Sequence, residues 1–494
     1  MSSAGGAHVS GRSFLTGQIA RELEAAVGPE NVTREAGRLQ ANAADWSWMS
    51  KYMIYADLEL PAADIAVAPG SPSEVERVVQ IASDHRVPIV TRGGGTGTQG
   101  GTLAPYGGIC LDLTRLDRVL DIDEETLAVT VEAGVVGPVL EERLNERGLT
   151  LPHYPGAYHL GATVGGYLAA RGSGVVSTKY GKAEDQVLQV EAVVPPGRTV
   201  TTLPVPSHAA GPDLLQILVG SEGTLGVITS ATMRLEHLPE QRVFLSFAFP
   251  DIFAGIEAGR LIMTYRLRPS VIRLYDTADS IKLRDWVGTP FTGNLMVVMC
   301  DGDPELVAYE TRAITALAES VGGRSLGPEV GQIWWDGKYE PYAAGKLPLP
   351  PLMYGTFDTV ARFRDIPGIY RARKELIERE FADCGARYAA HFSHWFPWGT
   401  MIYDRFYVDE PPADPAEAMA LHDRLWDAGV MTALRLGGAV NEHHGVGLKL
   451  GRFMRSQYGT GFDLMLALKR AWDPDGIMNP GKLGFGGPVA GRWP

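Results

Sequence analysis

Apolar residues are spaced as on a helix at the start of the chain and gather into short strand-like runs after residue 60. Ile19, Leu23, Ala26 and Val27 share one helical face, and the aromatic residues Trp46, Trp48, Tyr52 and Tyr55 follow. Residues 1–60 therefore predict a helical segment that wraps onto a later domain. Residues 66–68 read as a strand and Pro69-Gly-Ser-Pro72 as a turn. Ser73 with Glu76 three positions on spells a capping box, and Val75, Val78, Val79 and Ala82 form the buried stripe of the helix it opens. That helix runs into a strand at Pro88-Ile-Val90, giving a β-α-β unit. A second unit is predicted from a strand at 127–131 and a helix marked by Val139, Leu140 and Leu144, with Pro138 in its first turn and Gly148 past its end. Residues 190–194 and 199–201, joined by Pro195-Pro-Gly197, predict a hairpin.

Glycine-rich segments interrupt these elements. Arg92-Gly-Gly-Gly-Thr-Gly-Thr-Gln-Gly-Gly101 contains Gly95-x-Gly97-x-x-Gly100, the spacing of a dinucleotide loop. A Rossmann loop opens directly into a helix, whereas Thr102-Leu-Ala-Pro105-Tyr-Gly-Gly108 follows here and would break one. The physical part of the signal survives: bare backbone N–H groups form a concavity for a diphosphate, with Arg92 as a counter-charge. The bland alternative is an ordinary glycine-rich turn. Further glycine segments at 155–174 and 220–226 are poor helix formers, since glycine costs about 1 kcal/mol per helical position relative to alanine. Their density fits a backbone that closely approaches a ligand or another backbone.

The 494 residues are 45% apolar and 21% charged, enough for two or three cores, and the net charge of −13 argues against nucleic acid or an anionic membrane as the main partner. Cys110, Cys300 and Cys384 fit no metal or disulfide spacing and read as small apolar residues in a reducing compartment. The N-terminus lacks a leader pattern and no apolar run is of spanning length, so a cytoplasmic location without a membrane span is expected.

The run Pro69-Gly-Ser-Pro-Ser-Glu-Val, the Arg92-Gly-Gly-Gly-Thr-Gly loop, Thr163-Val-Gly-Gly166, Tyr180-Gly181 and Gly220-Ser-Glu-Gly-Thr-Leu-Gly-Val-Ile228 together resemble, in this order, the FAD-binding domain of the vanillyl-alcohol oxidase or p-cresol methylhydroxylase (PCMH) superfamily. The closing run Leu468-Lys-Arg-Ala-Trp-Asp-Pro-Asp-Gly476-Ile-Met-Asn-Pro-Gly-Lys482 is similar to that of its FAD-linked D-2-hydroxyacid dehydrogenases and alkyl-dihydroxyacetone-phosphate synthases. Ser270-Val-Ile-Arg273-Leu-Tyr-Asp276 and His443-His-Gly-Val-Gly447 look most like the synthase branch. The resemblance implies an α+β fold: an N-terminal helical segment (1–60), a two-subdomain PCMH-type FAD-binding domain (61–240), an α+β cap with an antiparallel sheet (241–440), and a C-terminal segment (441–494) that returns to the FAD domain. It further implies that the backbone of Arg92, Gly93, Gly94, Gly95, Thr96 and Gly97 holds the diphosphate. Pro155, Thr163, Gly165, Gly166, Ser173 and Tyr180 would line the cofactor, and Glu222, Gly226 and Ile228 would hold its adenine side. Thr96 stands where some members carry a histidine that attaches the flavin, so non-covalent FAD is expected.

A flavin dehydrogenase needs a base beside the substrate hydroxyl, and histidine suits that task near neutral pH. His443 and His444, in Asn441-Glu-His-His-Gly-Val-Gly447, are the leading candidates, against the alternative of a solvated polar turn. The synthases carry a histidine where this chain has Glu442, and the D-2-hydroxyacid dehydrogenases carry Glu-His-Gly in this loop. Tyr403 matches a tyrosine that the synthase branch uses near the flavin; a half-buried strand aromatic is the alternative. Arg273 is the choice for binding a substrate carboxylate or phosphate, with an ion pair to Asp276 as the competing account. No metal is expected; His391 and His394, closer together than the histidine pair of metal-dependent relatives, are the alternative ligands. Trp334, Trp335, Tyr339, Tyr342, Trp395, Phe396 and Trp398 make the cap aromatic, which suits core packing or an aromatic substrate. Lys346-Leu-Pro-Leu-Pro-Pro351 reads as a rigid loop.

The reading is an FAD-dependent oxidoreductase that oxidises a D-2-hydroxyacid or an aromatic alcohol by hydride transfer, with a synthase-like transferase using flavin without net redox as the alternative. Its partners would be a small-molecule substrate, an electron acceptor that the sequence leaves open, and a second copy of the chain in a homodimer.

Overall fold

A computed structural model describes residues 15–342 and 348–487. The loop 346–351 lies partly outside the described residues, and so does the side chain of Tyr342.

Two sheets build the N-terminal half. The first has four strands in the order Val32–Thr33, Ile65–Val67, Ile109–Asp112 and Ile89–Arg92. The expected β-α-β unit is present with a difference: Ile109–Asp112 inserts between its two strands and runs parallel to both. The helix between them, Pro72–His85, buries Val75, Val78, Val79, Ile81 and Ala82. Full burial of an aliphatic side chain of this size is worth about 1.5–3 kcal/mol, so this stripe fixes the helix on the sheet. The cap lies two residues earlier than expected. Ser71 Oγ accepts from the N–H of Glu74, and the Glu74 carboxylate accepts from Gly70 N, while Glu76 reaches across to the hydroxyl of Thr199. Pro72 explains the shift, because its preset φ suits the first helical turn and its missing N–H costs nothing there.

The second sheet has five strands, Val119–Asp123, Ala128–Glu132, Val227–Arg234, Val187–Val194 and Arg198–Thr201, all antiparallel. The predicted hairpin is its last pair. Leu127 falls outside its strand because its φ is +53°, and the second unit does not close as predicted: helix Gly137–Asn145 leads to Leu149–Thr150, which pairs with Glu236–His237 in a separate ribbon.

An eight-stranded antiparallel sheet forms the cap. Its central strand Asn294–Gly302 is apolar on both faces and buried at eight of nine positions, since helices Ile252–Thr264 and Pro304–Ser320 cover one side and helices Thr277–Val287 and Glu329–Asp336, with Val176 of the N-terminal half, the other. The hairpin Arg387–Phe396 and Gly399–Val408 carries a bulge at His394, whose φ is +51°. Of the cap aromatics, Trp334 and Trp395 are buried in its cores, Trp335 and Phe396 are half-buried, and Trp398 is exposed.

Both chain ends stitch the halves together. Trp48 stacks on Tyr52 and His422 and donates from Nε1 to the carbonyl of Leu352 in the cap, while Asp45 accepts from Gly100 N in the first glycine loop. The closing segment runs beside Ile89, which donates to Ile477 O and accepts from Asn479 N. Cys110 and Cys300 are buried and pushed up to about 12 by that burial; Cys384 is half-buried.

Within the cap, Arg373 is fully buried and donates to Asp404 Oδ1 (2.8 Å), Gly429 O (2.9 Å) and Thr359 Oγ1 (2.5 Å). Arg373→Met removes the cation paired with buried Asp404 and leaves the Tyr388 hydroxyl (3.0 Å) as its side-chain donor, and should cost about 3–5 kcal/mol in urea denaturation. Adding Asp404→Leu should recover a substantial part of that loss.

Candidate active site

The first glycine loop owes its composition to two different demands. A Cβ on Gly93 would lie 2.5 Å from Thr163 Oγ1, and one on Gly94 would strike the carbonyl of Gly161, so these two glycines let the first and third segments pack backbone to backbone. Gly97, Gly101 and Gly161 instead have open space where a side chain would be. The backbone N–H groups of residues 93–99 donate to no acceptor among the described residues, and buried Thr91 Oγ1 and Gln99 Oε1 have no partner. Seven successive free donors beside a buried, unsatisfied hydroxyl and amide oxygen fit the phosphates and polar groups of an extended dinucleotide. Arg92 is not the free counter-charge expected; its guanidinium bonds Asn42 O and Gly93 O and lies 3.7 Å from Asp112, bracing the loop from behind.

The other expected cofactor residues divide. Thr163 Oγ1 caps helix Val164–Ala169 by accepting from Gly166 N, Gly165 packs where a Cβ would meet Ala133 at 2.7 Å, and Pro155 O anchors a turn through Tyr158 N. All belong to the segment that abuts the first loop. Four side chains are used by the protein itself. Ser173 Oγ bonds the Glu442 carboxylate, and the Tyr180 phenol donates to Asp301 in the cap. Ile228 is built into a hydrophobic core, and Gly226 lets its strand approach Val193. Glu222, expected at the adenine, accepts from Val446 N (2.5 Å) and Gly447 N (2.8 Å). It fixes the histidine loop to the N-terminal half.

That loop meets the cap hairpin. His391 lies opposite Tyr403 across the strands, and their rings stack 4.6 Å apart. Tyr403 in turn is 5.8 Å from the ring of His443 and 5.6 Å from that of His444, and the two histidine rings are 4.0 Å apart. Arg273 reaches the same cluster: Nη1 is 3.4 Å from His391 Nε2, the guanidinium lies over Trp334 at 5.5 Å, and buried Nε has no partner. Its expected competitor is excluded, because the Asp276 carboxylate accepts from Asp279 N and Ala390 N. All four proposed catalytic residues therefore converge.

Two buried carboxylates underlie the imidazoles. Glu442 Oε2 is 2.8 Å from His443 Nδ1 and 2.9 Å from His394 Nδ1, and its Oε1 is 3.1 Å from Lys182 Nζ. Burial would raise its pKa, yet the Lys182 ammonium, His394 and the imidazole hydrogen bonds hold it well below the usual range. Asp358 accepts from the backbone N–H groups of His443 and His444 and from Asn441 Nδ2, with Oδ2 3.1 Å from His444 Nδ1 but poorly aligned for a bond. Burial and the neighbouring His444 push His443 down to about 4, and burial with Arg273 beside it keeps His391 well below its ordinary value. Donor atoms of His394, Glu442 and His443 lie within metal-ligand spacing, as do those of Asp358, His443 and His444. In the first group Lys182 already neutralises the carboxylate. His391 and His394 do not share a ligand group among the described residues. Lys182 and Asp358 escaped the sequence reading because neither sits in a recognisable spacing, and Glu442 was legible only as a departure from its relatives.

With this geometry in place, comparison with known proteins is decisive. Residues 63–203 match the FAD binding domain family, and residues 238–483 match the FAD linked oxidases, C-terminal domain family. The chain is 30% identical over 488 residues to a FAD-linked oxidoreductase of Escherichia coli (strain K12), covering 95% of this chain and 99% of that one. The chain belongs to the FAD-linked oxidases. It is also 30% identical over 429 residues to the mitochondrial D-lactate dehydrogenase [cytochrome] of Arabidopsis thaliana, covering 85% of this chain and 73% of that one. A solved alkyldihydroxyacetonephosphate synthase superposes with a TM-score of 0.78 at 25% identity, covering 95% and 86%. p-Cresol methylhydroxylase superposes at 0.76 and 19% identity, covering 95% and 96%, which shows the shared PCMH-type α+β fold. FAD is the cofactor. No described helix is long and apolar enough to cross a membrane.

His153 is buried with neither ring nitrogen partnered and is pushed down to about 3 by burial, His394 and Lys182. The unfolded chain protonates His153 and His443 near 6.5, so it binds protons that the folded state refuses. Folded-state stability should therefore fall as pH drops from 6.5 towards 3. His153→Phe should flatten that slope by up to about 1.4 kcal/mol per pH unit in urea melts between pH 7 and 5.

Proposed function

We propose that this FAD-linked oxidoreductase oxidises a small anionic alcohol, with D-2-hydroxyacids first among its substrates. The observation that carries the reading is the convergence of Arg273, His391, Tyr403, His443 and His444 where the cap hairpin meets the loop that Glu222 anchors. Bound FAD supplies the hydride acceptor. Burial keeps His443 neutral at pH 7, and with Nδ1 turned to Glu442 its Nε2 is left to take the hydroxyl proton. Tyr403 orients that hydroxyl. Arg273 lacks a carboxylate among the described ion pairs, and a half-buried guanidinium with an unpartnered Nε is suited to a substrate carboxylate. The name of the Arabidopsis relative fits this substrate class. An aromatic alcohol draws less support, because Trp334 and Trp395 are spent on the cap cores. FAD is proposed to be non-covalent, since residues 92–101 contain no histidine to attach it.

A second reading is favoured by the superposition on alkyldihydroxyacetonephosphate synthase: exchange of an acyl for an alkyl group without net redox. The charged Glu442 where those enzymes carry histidine weighs against it.

Under anaerobic conditions, a panel of D-2-hydroxyacids should bleach the flavin absorbance of the holoenzyme. His443→Gln should slow that bleaching by about 10²–10⁴-fold. Arg273→Met should instead weaken substrate binding, and an ether product from an acyl substrate and a fatty alcohol, without bleaching by any hydroxyacid, would favour the second reading. Acid precipitation should leave the yellow colour in the supernatant.

A further inference from the structure

We infer that Glu442 is a positioning residue that holds a proton on Nδ1 of both His394 and His443 and so locks the neutral His443 ring in the tautomer with Nε2 open. An ionised carboxylate only accepts hydrogen bonds, so imidazole nitrogens at 2.9 and 2.8 Å from Oε2 must both bring the proton. The charge on Glu442 is fixed from the other side. Lys182 Nζ sits 3.1 Å from Oε1 and donates to the Glu442 carbonyl at 2.6 Å, while Ser173 Oγ is 3.2 Å from both carboxylate oxygens. Lys182 also lies 3.3 Å from Glu184, which keeps the ammonium charged despite its burial. One carboxylate thus takes contacts from the FAD-binding half (Ser173 and Lys182), from the cap hairpin (His394) and from its own loop (His443).

The geometry calls for an acceptor at this position. A methionine would offer neither ring one, leaving His443 Nδ1 only Asp358 Oδ2 at 3.2 Å, whereas a glutamine could turn its NH2 to Ser173 and still serve both rings with its oxygen. A histidine at this position could accept on only one nitrogen. The catalytic consequence, an Nε2 lone pair held ready at His443, rests on the proposed role of that residue as base. The tautomer lock itself does not.

Long-range 1H–15N correlation of 15N-histidine-labelled holoprotein reads the tautomers directly, with His394→Gln and His443→Gln variants assigning the signals. In the unaltered protein both rings should be protonated at Nδ1. Glu442→Met should shift at least one of them to a mixture or to the Nε2-protonated form. Glu442→Met with Lys182→Met removes both buried charges together with the acceptor, should retain the flavin spectrum and should show the same change, which guards against a single variant that does not fold. An Nε2-protonated His443 in the unaltered protein, or unchanged tautomers in the double variant, would overturn the inference whatever the substrate proves to be. Where a hydroxyacid reduces the flavin, the double variant should slow the reduction step by about tenfold or more while substrate Kd stays within about twofold. An unslowed step would sink the positioning role, whereas failure of every hydroxyacid to reduce the flavin would sink the proposed reaction and leave the tautomer result standing.

Discussion

A charge taken out of water must find its partners inside the protein, and in this chain several buried charges find them across the seams between distant segments. Lys182 meets Glu442, 260 positions away, and Glu222 meets the backbone of Val446 and Gly447. Lys469 donates to Thr224 O and Met478 O and pairs with Asp473, while Lys482 donates to Leu103 O. Leaving any of these groups unpaired would cost several kcal/mol, whereas a misplaced surface pair costs almost nothing. The seams between the N-terminal half, the cap and the closing segment are consequently defined by a few polar contacts as well as by apolar area. The site lies where three such seams meet.

That arrangement explains which parts of the fold could be read in the chain. The helix over 72–85, the hairpin at 187–201 and the glycine loops depend on neighbours a few positions away, and their patterns are visible locally. Their assembly is not local. Ile109–Asp112 slips between two strands that the sequence joins through one helix, and nothing in its four residues announces a central place. The cap of helix Pro72–His85 lies at Ser71 because Pro72 and Glu74 compete successfully with the equally regular pair Ser73 and Glu76.

The candidate site divides along the same line. His443, His444, Tyr403 and Arg273 were legible from the residue types and the resemblance, and the structure gathers them. The side chains of Glu222 and Ser173, expected at the cofactor, hold other segments of the protein. Lys182 and Asp358 carry no local signature, since an isolated lysine after a glycine or an aspartate between two short strands is ordinary in any surface turn. Their meaning comes only from what the folded chain puts opposite them.

The bulge at His394 has a consequence for how one strand serves two masters. In an unbroken strand, side chains alternate, so with Ala390 and Phe392 directed into the cap core, residue 394 would follow them and residue 395 would turn away. The extra residue resets the parity: Trp395 joins Ala390 and Phe392 in the apolar interior, and His394 is released to the side on which His391 already stands. A single backbone irregularity thereby lets ten residues deliver a large hydrophobic anchor and two imidazoles from the same edge of the polypeptide. Flattening the bulge with every residue kept would exchange the tryptophan for a histidine in the core, so the backbone irregularity of this hairpin is constrained by the chemistry as tightly as its composition.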